Sequence, residues 1–255
     1  MKTKNKLHHI EEFRKVLKGY RPSDESLQIL HETPIVLLVG PTAAGRNKLI
    51  NLLVATHRYH YIVSHTTRLP RKNDGVMEED GVEYWFKSEE YFLDGLRAGA
   101  YLEAAIIHDQ QVSGISLDEL TKARLEDKIA VDEIEVNGAE HIQRYKNDAL
   151  FIFLLPPTFE IWMERLGGRG QMDEAEVRRR LESAVEEITT ALGTDFYHFV
   201  INNEIHEAAT AVDELAKGRE PDAQKQQLGR DHAEQLIINT ELYLNKPKQH
   251  FPELL

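Results

Sequence analysis

An α/β fold built on a parallel sheet is what the sequence predicts, and three observations predict it. The apolar run Ile35-Val36-Leu37-Leu38-Val39 leads straight into Gly40-Pro41-Thr42-Ala43-Ala44-Gly45-Arg46-Asn47. Strand-sized apolar runs then alternate with helix-sized stretches as far as Lys217, the pattern of a parallel sheet covered on both faces. The rhythm breaks once, at roughly 65–115, where Gly75, Gly81, Gly99 and Gly114 separate short aromatic pieces such as Tyr84-Trp85-Phe86. That stretch reads as a small subdomain inserted into the α/β core.

Residues 1–33 read as a helical extension. Ile10, Phe13, Val16 and Leu17 fall at helix spacing, and Arg21-Pro22-Ser23-Asp24 breaks that helix. Ser23 or Asp24 can cap a second helix through Leu27, Ile29 and Leu30. The core runs over 34–217, with strands expected at 34–39, 59–64, 128–136, 149–154 and 198–202. Helices are expected at 45–56, 88–98, 116–126, 138–146, 158–166, 173–192 and 204–217. After Gly218-Arg219-Glu220-Pro221-Asp222, residues 218–255 hold one more helix with a partial apolar face of Leu228, Ala233, Leu236, Ile237 and Leu244. The two extensions are expected to pack together or to form an interface, because their apolar faces need cover.

Composition narrows the function. The chain has 255 residues, enough for one good core plus extensions. No apolar run approaches the ~20 residues of a membrane span. Met1-Lys2-Thr3-Lys4-Asn5-Lys6 is basic, but no apolar signal stretch follows, so the cytoplasm and no membrane partner are expected. Without cysteine there are no disulfides, thiolate nucleophiles or Cys-held zinc. The 12 histidines are scattered, and His8-His9 reads as a solvated pair. A net charge of -12 argues against a nucleic-acid partner. A small anion is still admissible where cations cluster, at Arg68 and Arg71 and at Arg165, Arg169, Arg178, Arg179 and Arg180.

The loop at 40–47 is a P-loop with two altered letters. The pattern G-x-x-x-x-G-K-[ST] follows a buried strand and opens a helix, and both contexts are present. Gly40 and Gly45 permit the torsions that aim successive N–H groups at phosphate, and the helix opening at Gly45 adds its positive end. Arg46 replaces the lysine; it keeps the charge but is longer, planar and bidentate. Asn47 replaces the hydroxyl and offers a carbonyl oxygen, a weaker magnesium ligand.

Further along stand Ser64-His65-Thr66-Thr67-Arg68-Leu69-Pro70-Arg71 and Gly81-Val82-Glu83-Tyr84-Trp85-Phe86. With the loop, these resemble the guanylate kinase family, whose members read S-x-T-T-R-x-P-R and then D-G-x-D-Y-x-F. The resemblance covers residues 34–217 and leaves the extensions outside. It implies a P-loop nucleoside monophosphate kinase-like three-layer core, with a parallel sheet of about five strands. It also implies an inserted mixed GMP-binding subdomain and a lid near 165–180. Arg68, Arg71 and Tyr84 resemble the groups that grip the GMP phosphate; two guanidinium forks on one phosphate are strong and orienting. Ser64 and Glu103 resemble the readers of the guanine edge. A carboxylate accepting from the guanine N1–H and N2–H pair rejects adenine, which offers no such pair.

The resemblance extends along the chain. Glu133-Ile134-Glu135-Val136-Asn137-Gly138 resembles the family's D-I-D-x-Q-G. It implies Glu135 near the guanine and Glu133 or Asp132 near magnesium or the P-loop. Arg165-Leu166-Gly167-Gly168-Arg169-Gly170 and Arg178-Arg179-Arg180 resemble the lid and the helix behind it. Arg46, Arg169 and Arg180 are then the candidates for stabilising charge on the transferring phosphoryl group. Asn202 aligns with a residue near the ATP base. The activity implied is phosphoryl transfer from ATP to GMP or dGMP with Mg2+, the metal held by Asn47 and Glu133. Taken singly these residues have blander readings: Arg178-Arg179-Arg180 among Glu174, Glu176 and Glu182 reads as an ion-paired helix face.

Departures from the family cluster at the site. Besides Arg46 and Asn47, Lys48 falls two positions after Arg46 and is expected to point along the helix. Gln111-Val112-Ser113-Gly114-Ile115 stands where the family has Tyr-Gly-[Ser/Thr], so Ser113 and Ile115 replace a phosphate-gripping tyrosine and a base-contacting hydroxyl. The loop from Lys72 to Asp80 is longer and carries Asp74, Glu78, Glu79 and Asp80, which weaken a phosphate site unless they point away. These departures keep two other readings open: a catalytically inactive module that binds a nucleotide or a phosphopeptide, and a kinase with a changed acceptor.

Overall fold

The computed structural model describes residues 7–73, 75–107, 109–168 and 172–246. From the N-terminus, α1 (Ile10–Leu17) and α2 (Asp24–Glu32) precede β1 (Ile35–Val39) and α3 (Arg46–Ala55). Five short strands follow: β2 (Tyr59–Tyr61), β3 (His65–Thr66), β4 (Lys72–Asn73), β5 (Val76–Met77) and β6 (Trp85–Phe86). Next come α4 (Glu89–Arg97), β7 (Tyr101–Ile107), β8 (Gln111–Ser116), α5 (Leu117–Leu125), β9 (Ile129–Glu133) and α6 (Val136–Gln143). The chain continues with β10 (Leu150–Leu155), α7 (Phe159–Gly167), α8 (Glu174–Leu192), β11 (Tyr197–Ile201), α9 (Ile205–Ala216) and α10 (Ala223–Leu244). No helix of the described residues is long and apolar enough to cross a membrane.

Two compact units form. The first holds Met1–Ile35, His57–Asp132 and Glu140–Ala149; the second holds Val36–Thr56, Glu133–Ala139 and Leu150–Leu255. In the second unit β10 pairs in parallel with both β1 and β11. Every residue of β1 is buried, as are Phe151 to Leu155 of β10, so neither strand alternates polar with apolar. That is why both read as continuous apolar runs. α9 packs on α3 and β11, while α10 packs on β11, α7 and α8. The Gln226 side chain of α10 accepts from the Phe199 N–H of β11 at 2.9 Å. Ala233 and Leu236 of the C-terminal extension are thus buried within its own unit, while Leu228, expected on the same apolar face, is exposed.

In the first unit β2 and β9 pair in parallel. A mixed sheet stands beside them in the order β6-β3-β8-β7, parallel between β3 and β6 and antiparallel elsewhere. β4 and β5 form a separate hairpin inside the long 72–80 loop. α1 and α2 cover this unit's own elements: Phe13 and Leu7 join Phe92, Leu93, Leu96, Tyr101 and Val112 in one buried cluster. Buried Glu119 of α5 ties the unit together. It accepts from Val63 N–H at 3.2 Å and from Trp85 Nε1 at 3.2 Å, and pairs with Lys122 Nζ at 2.5 Å and His60 Nε2 at 3.1 Å. Burial alone pushes its carboxyl up, and these donors more than offset that, holding it below the usual carboxylate range.

All the expected parallel strands form, but two end early for identifiable reasons. The strand expected over 59–64 stops at Tyr61 because the Val63 N–H turns to Glu119. The strand expected over 128–136 stops at Glu133 and α6 starts at Val136, with Glu135 O accepting from Ala139 N. Glu135 therefore opens a helix rather than ending a strand. The lid region holds the end of α7 and the start of α8, which Asp173 caps through Glu176 N–H at 2.7 Å. Arg169 and Asp74 lie outside the described residues.

Gly229 lets α10 approach β11: a Cβ there would sit 2.6 Å from Phe199 Cβ and 3.2 Å from its carbonyl oxygen. Gly229→Ala gains about 1 kcal/mol of helix propensity against about 1–3 kcal/mol of overpacking. The expected result is a net loss of roughly 1 kcal/mol in urea unfolding, the overpacking outweighing the propensity. An equal or higher midpoint would show that α10 can slide.

Candidate functional site

The second unit carries the P-loop. Gly40 has φ 141°, and a Cβ there would lie 2.3 Å from the Leu154 carbonyl oxygen. Gly45 caps α3 at φ 107°, where a Cβ would meet Asn202 Nδ2 at 2.4 Å. Only glycine fits both corners. Between them Ala43 is held at φ 69°, a left-handed value that non-glycine residues rarely adopt. Side chains seize the loop's carbonyls. Trp162 Nε1 donates to Thr42 O at 2.8 Å, and Asn202 Nδ2 donates to Ala44 O at 2.7 Å. Arg165 reaches Ala44 O at 3.5 Å and Asn202 O at 3.3 Å. In a trans peptide the next N–H points opposite to the carbonyl. Capturing the oxygens of 42 and 44 therefore turns the N–H groups of Ala43 and Gly45 the other way, as an anion cradle requires.

The two altered positions converge on one carboxylate. Arg46 Nε lies 3.4 Å from Glu133 Oε2, and Asn47 Nδ2 donates to Glu133 Oε1 at 3.2 Å. Lys48 is exposed. Glu133 at the end of β9 thus stands against the start of α3, and its hard oxygens with the Asn47 amide oxygen are the donor type magnesium takes. Among the described residues no group of three or more His, Asp or Glu side chains gathers as a metal site. Magnesium held through one or two protein oxygens and substrate phosphates requires no such group. Glu187 of α8 is half-buried in this neighbourhood. Burial, then the charges of Glu135 and Glu186, push its carboxyl up to about 7 against the pull of Arg46. Arg180 lies on its own helix, bonded to Glu176 at 2.7 Å, and Arg179 bonds the same carboxylate.

The first unit carries the second constellation. Arg68 is buried and bidentate with Glu78, Nη2 to Oε1 at 2.8 Å and Nη1 to Oε2. Its guanidinium lies over the Tyr84 ring at 4.7 Å and near the Phe86 ring at 5.4 Å. Burial pulls its pKa down and Glu78 more than reverses this, so it is raised. The long loop therefore turns Glu78 inward, while Glu79 and Asp80 bond locally to Glu83 and Phe86. Arg71 is exposed; its N–H donates to Glu78 at 2.8 Å and its Nη2 to Gln111 at 3.1 Å. Gln111 donates in turn to Ser113 at 3.2 Å, whose hydroxyl meets Thr66 at 2.9 Å. Glu103 of β7 pairs across the ladder with Ile115, so the isoleucine is its direct cross-strand neighbour. Ser64 O accepts from Trp85 N–H at 2.9 Å.

Arg68, Tyr84, Arg71 and Ser113 are thus brought together in the first unit, and Arg46, Asn47, Glu133 and Asn202 in the second. Sequence reasoning passed over Trp162, Glu187 and the inward turn of Glu78, and it placed Arg165 in the lid's arginine cluster without its bond to the P-loop carbonyl of Ala44. Glu78 had a signal, since it stands three residues before Gly81 of the recognised motif. Trp162 and Glu187 had none, because only the packing of α7 and α8 assigns them.

Strand, glycine-cornered loop and helix N-terminus make this a protein with an α/β P-loop kinase-like fold. A crystal structure of guanylate kinase from Anaplasma phagocytophilum matches with TM-score 0.53 at 22% identity, over 75% of this chain and 87% of that one. The family model described as guanylate kinase matches residues 31–218. Guanylate kinase of Corynebacterium diphtheriae is 35% identical over 187 residues, 72% of this chain and 95% of its own length. That of Trichormus variabilis is 36% identical over 183 residues, 71% and 88% of the two chains. The chain belongs to the guanylate kinase family.

Glu187 makes a pH prediction. An acid whose pKa rises on folding from 4.5 to about 7 holds a proton that the unfolded chain has lost, so it destabilises the fold as pH climbs through that window. Glu187→Gln should raise stability by about 1–2 kcal/mol at pH 8, the shift being discounted for partial exposure. The gain should fall to about a quarter of that at pH 5 and vanish below about pH 4, as urea unfolding across these values would show.

Proposed function

We propose that this protein transfers the γ-phosphoryl group of ATP to GMP or dGMP, giving ADP and GDP or dGDP. The bond from the γ-phosphorus to the β,γ-bridging oxygen breaks, and a bond forms to a phosphate oxygen of the acceptor. The observation that carries this reading is the second unit's P-loop, whose carbonyls are drawn away by Trp162, Asn202 and Arg165. Gly40 to Asn47 would cradle the donor phosphates, with Arg46 as the cation at the transferred group. Asn47 and Glu133 would hold magnesium, which would offset the charge of the donor phosphates. Arg68, Arg71 and Tyr84 would grip the acceptor phosphate, with Glu78 holding the Arg68 fork in a fixed plane. Glu103 and Ser64 would read the guanine edge, and Glu135 would assist. Arg180, with Arg169, would add charge to the transferring group after leaving Glu176. These groups bring positioning and electrostatics, the main resources of phosphoryl transfer. The cytoplasm is the proposed setting.

One observation favours a second reading. Arg46 and Asn47 both lie on Glu133, and the residues that differ from the usual P-loop are engaged by a carboxylate of the same chain. A module that binds a nucleotide or a phosphorylated peptide without transfer would use the first unit's arginines alone.

Steady-state GDP formation from ATP, GMP and magnesium separates the two. Wild type should turn over, Arg46→Ala should lose on the order of 10²–10³ in kcat, and Arg46→Lys should stay within about tenfold of wild type. Wild type that binds GMP and forms no GDP establishes the binding module instead.

A further inference from the structure

Tyr20 stands ahead of the stretch that matches the family model, which begins at residue 31. Its hydroxyl takes both main-chain polar groups of Tyr101, donating to the carbonyl at 2.5 Å and accepting from the N–H at 2.8 Å. Those groups have a reason to look outside the sheet. Tyr101 pairs with Ser116 and Glu103 with Ile115, so two steps along β7 match one along β8. Such a bulge breaks the ladder locally, and buried main-chain groups there must find other partners. The bulge also resets which side chains face the core. Tyr101 and Leu102 are both buried, at 1% and 0% exposure, while Glu103 returns to the half-exposed face.

The N-terminal segment grips the same corner in other ways. Ser23 N–H and Ser26 Oγ both donate to Gly99 O, at 3.0 and 2.7 Å, just before β7. Phe13 meets Phe92 edge-on, and Phe92 stacks on Tyr101 with centroids 4.3 Å apart. On the other side the Tyr101 hydroxyl bonds His65 Nδ1 at 3.0 Å, next in sequence to Ser64. Burial pushes the Tyr20 hydroxyl up to about 12, so it stays protonated and keeps donating.

We propose that Tyr20 is a positioning residue for base recognition: by holding the bulge at Tyr101 it sets the phase at which Glu103 presents its carboxylate to a purine bearing an N1–H and a 2-amino group. The inference rests on the reading of Glu103 as the guanine-facing acid. A segment outside the family domain thereby becomes part of the acceptor's specificity.

Calorimetric binding of GMP and IMP to the full chain, without ATP, tests this apart from catalysis. IMP lacks the 2-amino group. In Tyr20→Phe the Kd for GMP should rise about tenfold and that for IMP by no more than about twofold, narrowing the preference. Equal weakening of both ligands, or unchanged Kd values with only a lower melting temperature, would mean a merely structural role and overturn the proposal. Glu103→Gln is the second arm. If it weakens GMP and Tyr20→Phe adds nothing further in its background, the two act as one unit; a full additional loss overturns the proposal. If Glu103→Gln alone leaves GMP binding unchanged, the base-reading role fails and takes the inference with it. Should Tyr20→Phe not fold, hydrogen exchange in wild type decides: the Tyr101 amide should exchange slowly and be slowed further by GMP, and fast exchange overturns the proposal.

Discussion

The shape of the P-loop in the second unit depends on the capture of its carbonyl oxygens. A loop packed with turned peptides must direct each dipole somewhere, and its hydrogen bonds decide which way. Trp162 and Asn202, from α7 and the end of β11, take the oxygens of Thr42 and Ala44. Gly40 and Gly45 make the two corners possible, since a side chain at either would run into Leu154 O or Asn202 Nδ2. The loop's backbone geometry is therefore imposed from outside it, and is compatible with Arg46 in place of lysine because none of these bonds uses that side chain.

Charge pairing gives the two constellations a common character. Arg46 lies on Glu133, Arg68 on Glu78 and Arg180 on Glu176. The pairs are not equivalent. Arg68 and Glu78 are both buried, so removing either would strand a charge, and the pair works as one rigid fork with Tyr84 beneath it. Arg180 and Glu176 are about a third exposed and bonded within one helix, where such pairs are worth little and part easily. The first is fixed within the fold; the second can part at small cost. Arg46 and Glu133 fall between, at 21% and 29% exposure.

The extensions turn out to be integral to the units they cover. α10 shields the edge of β11 and meets α8 through Arg178 bonded to Leu244 O, while Arg230 reaches the carbonyls of Leu192 and Thr194. α1 and α2 bury Phe13 and bring Tyr20 to the bulge in β7. Their apolar faces were legible as helix-spaced residues, but their partners were not, because periodicity says that a face is covered and nothing about what covers it.

The sequence by itself determined the strand–loop–helix corner, the alternation of strands and helices, the order of the family's motifs and the places where they depart from the family. These are local properties: a buried strand needs a continuous apolar run, a tight corner needs glycine, and a motif is a matter of spacing. The ends of the strands at 59–64 and 128–136 were misjudged because distant groups decided them, Glu119 taking the Val63 N–H and α6 claiming Val136. Likewise only the tertiary structure decided that Glu78 turns inward to Arg68, that Trp162 and Asn202 hold the P-loop, and that Tyr20 closes the bulge beside Glu103. Each joins residues far apart in the chain or in a loop without periodicity. Hydrogen-bond partnership at such distances depends on where packed elements bring the atoms, which no local pattern of residues encodes.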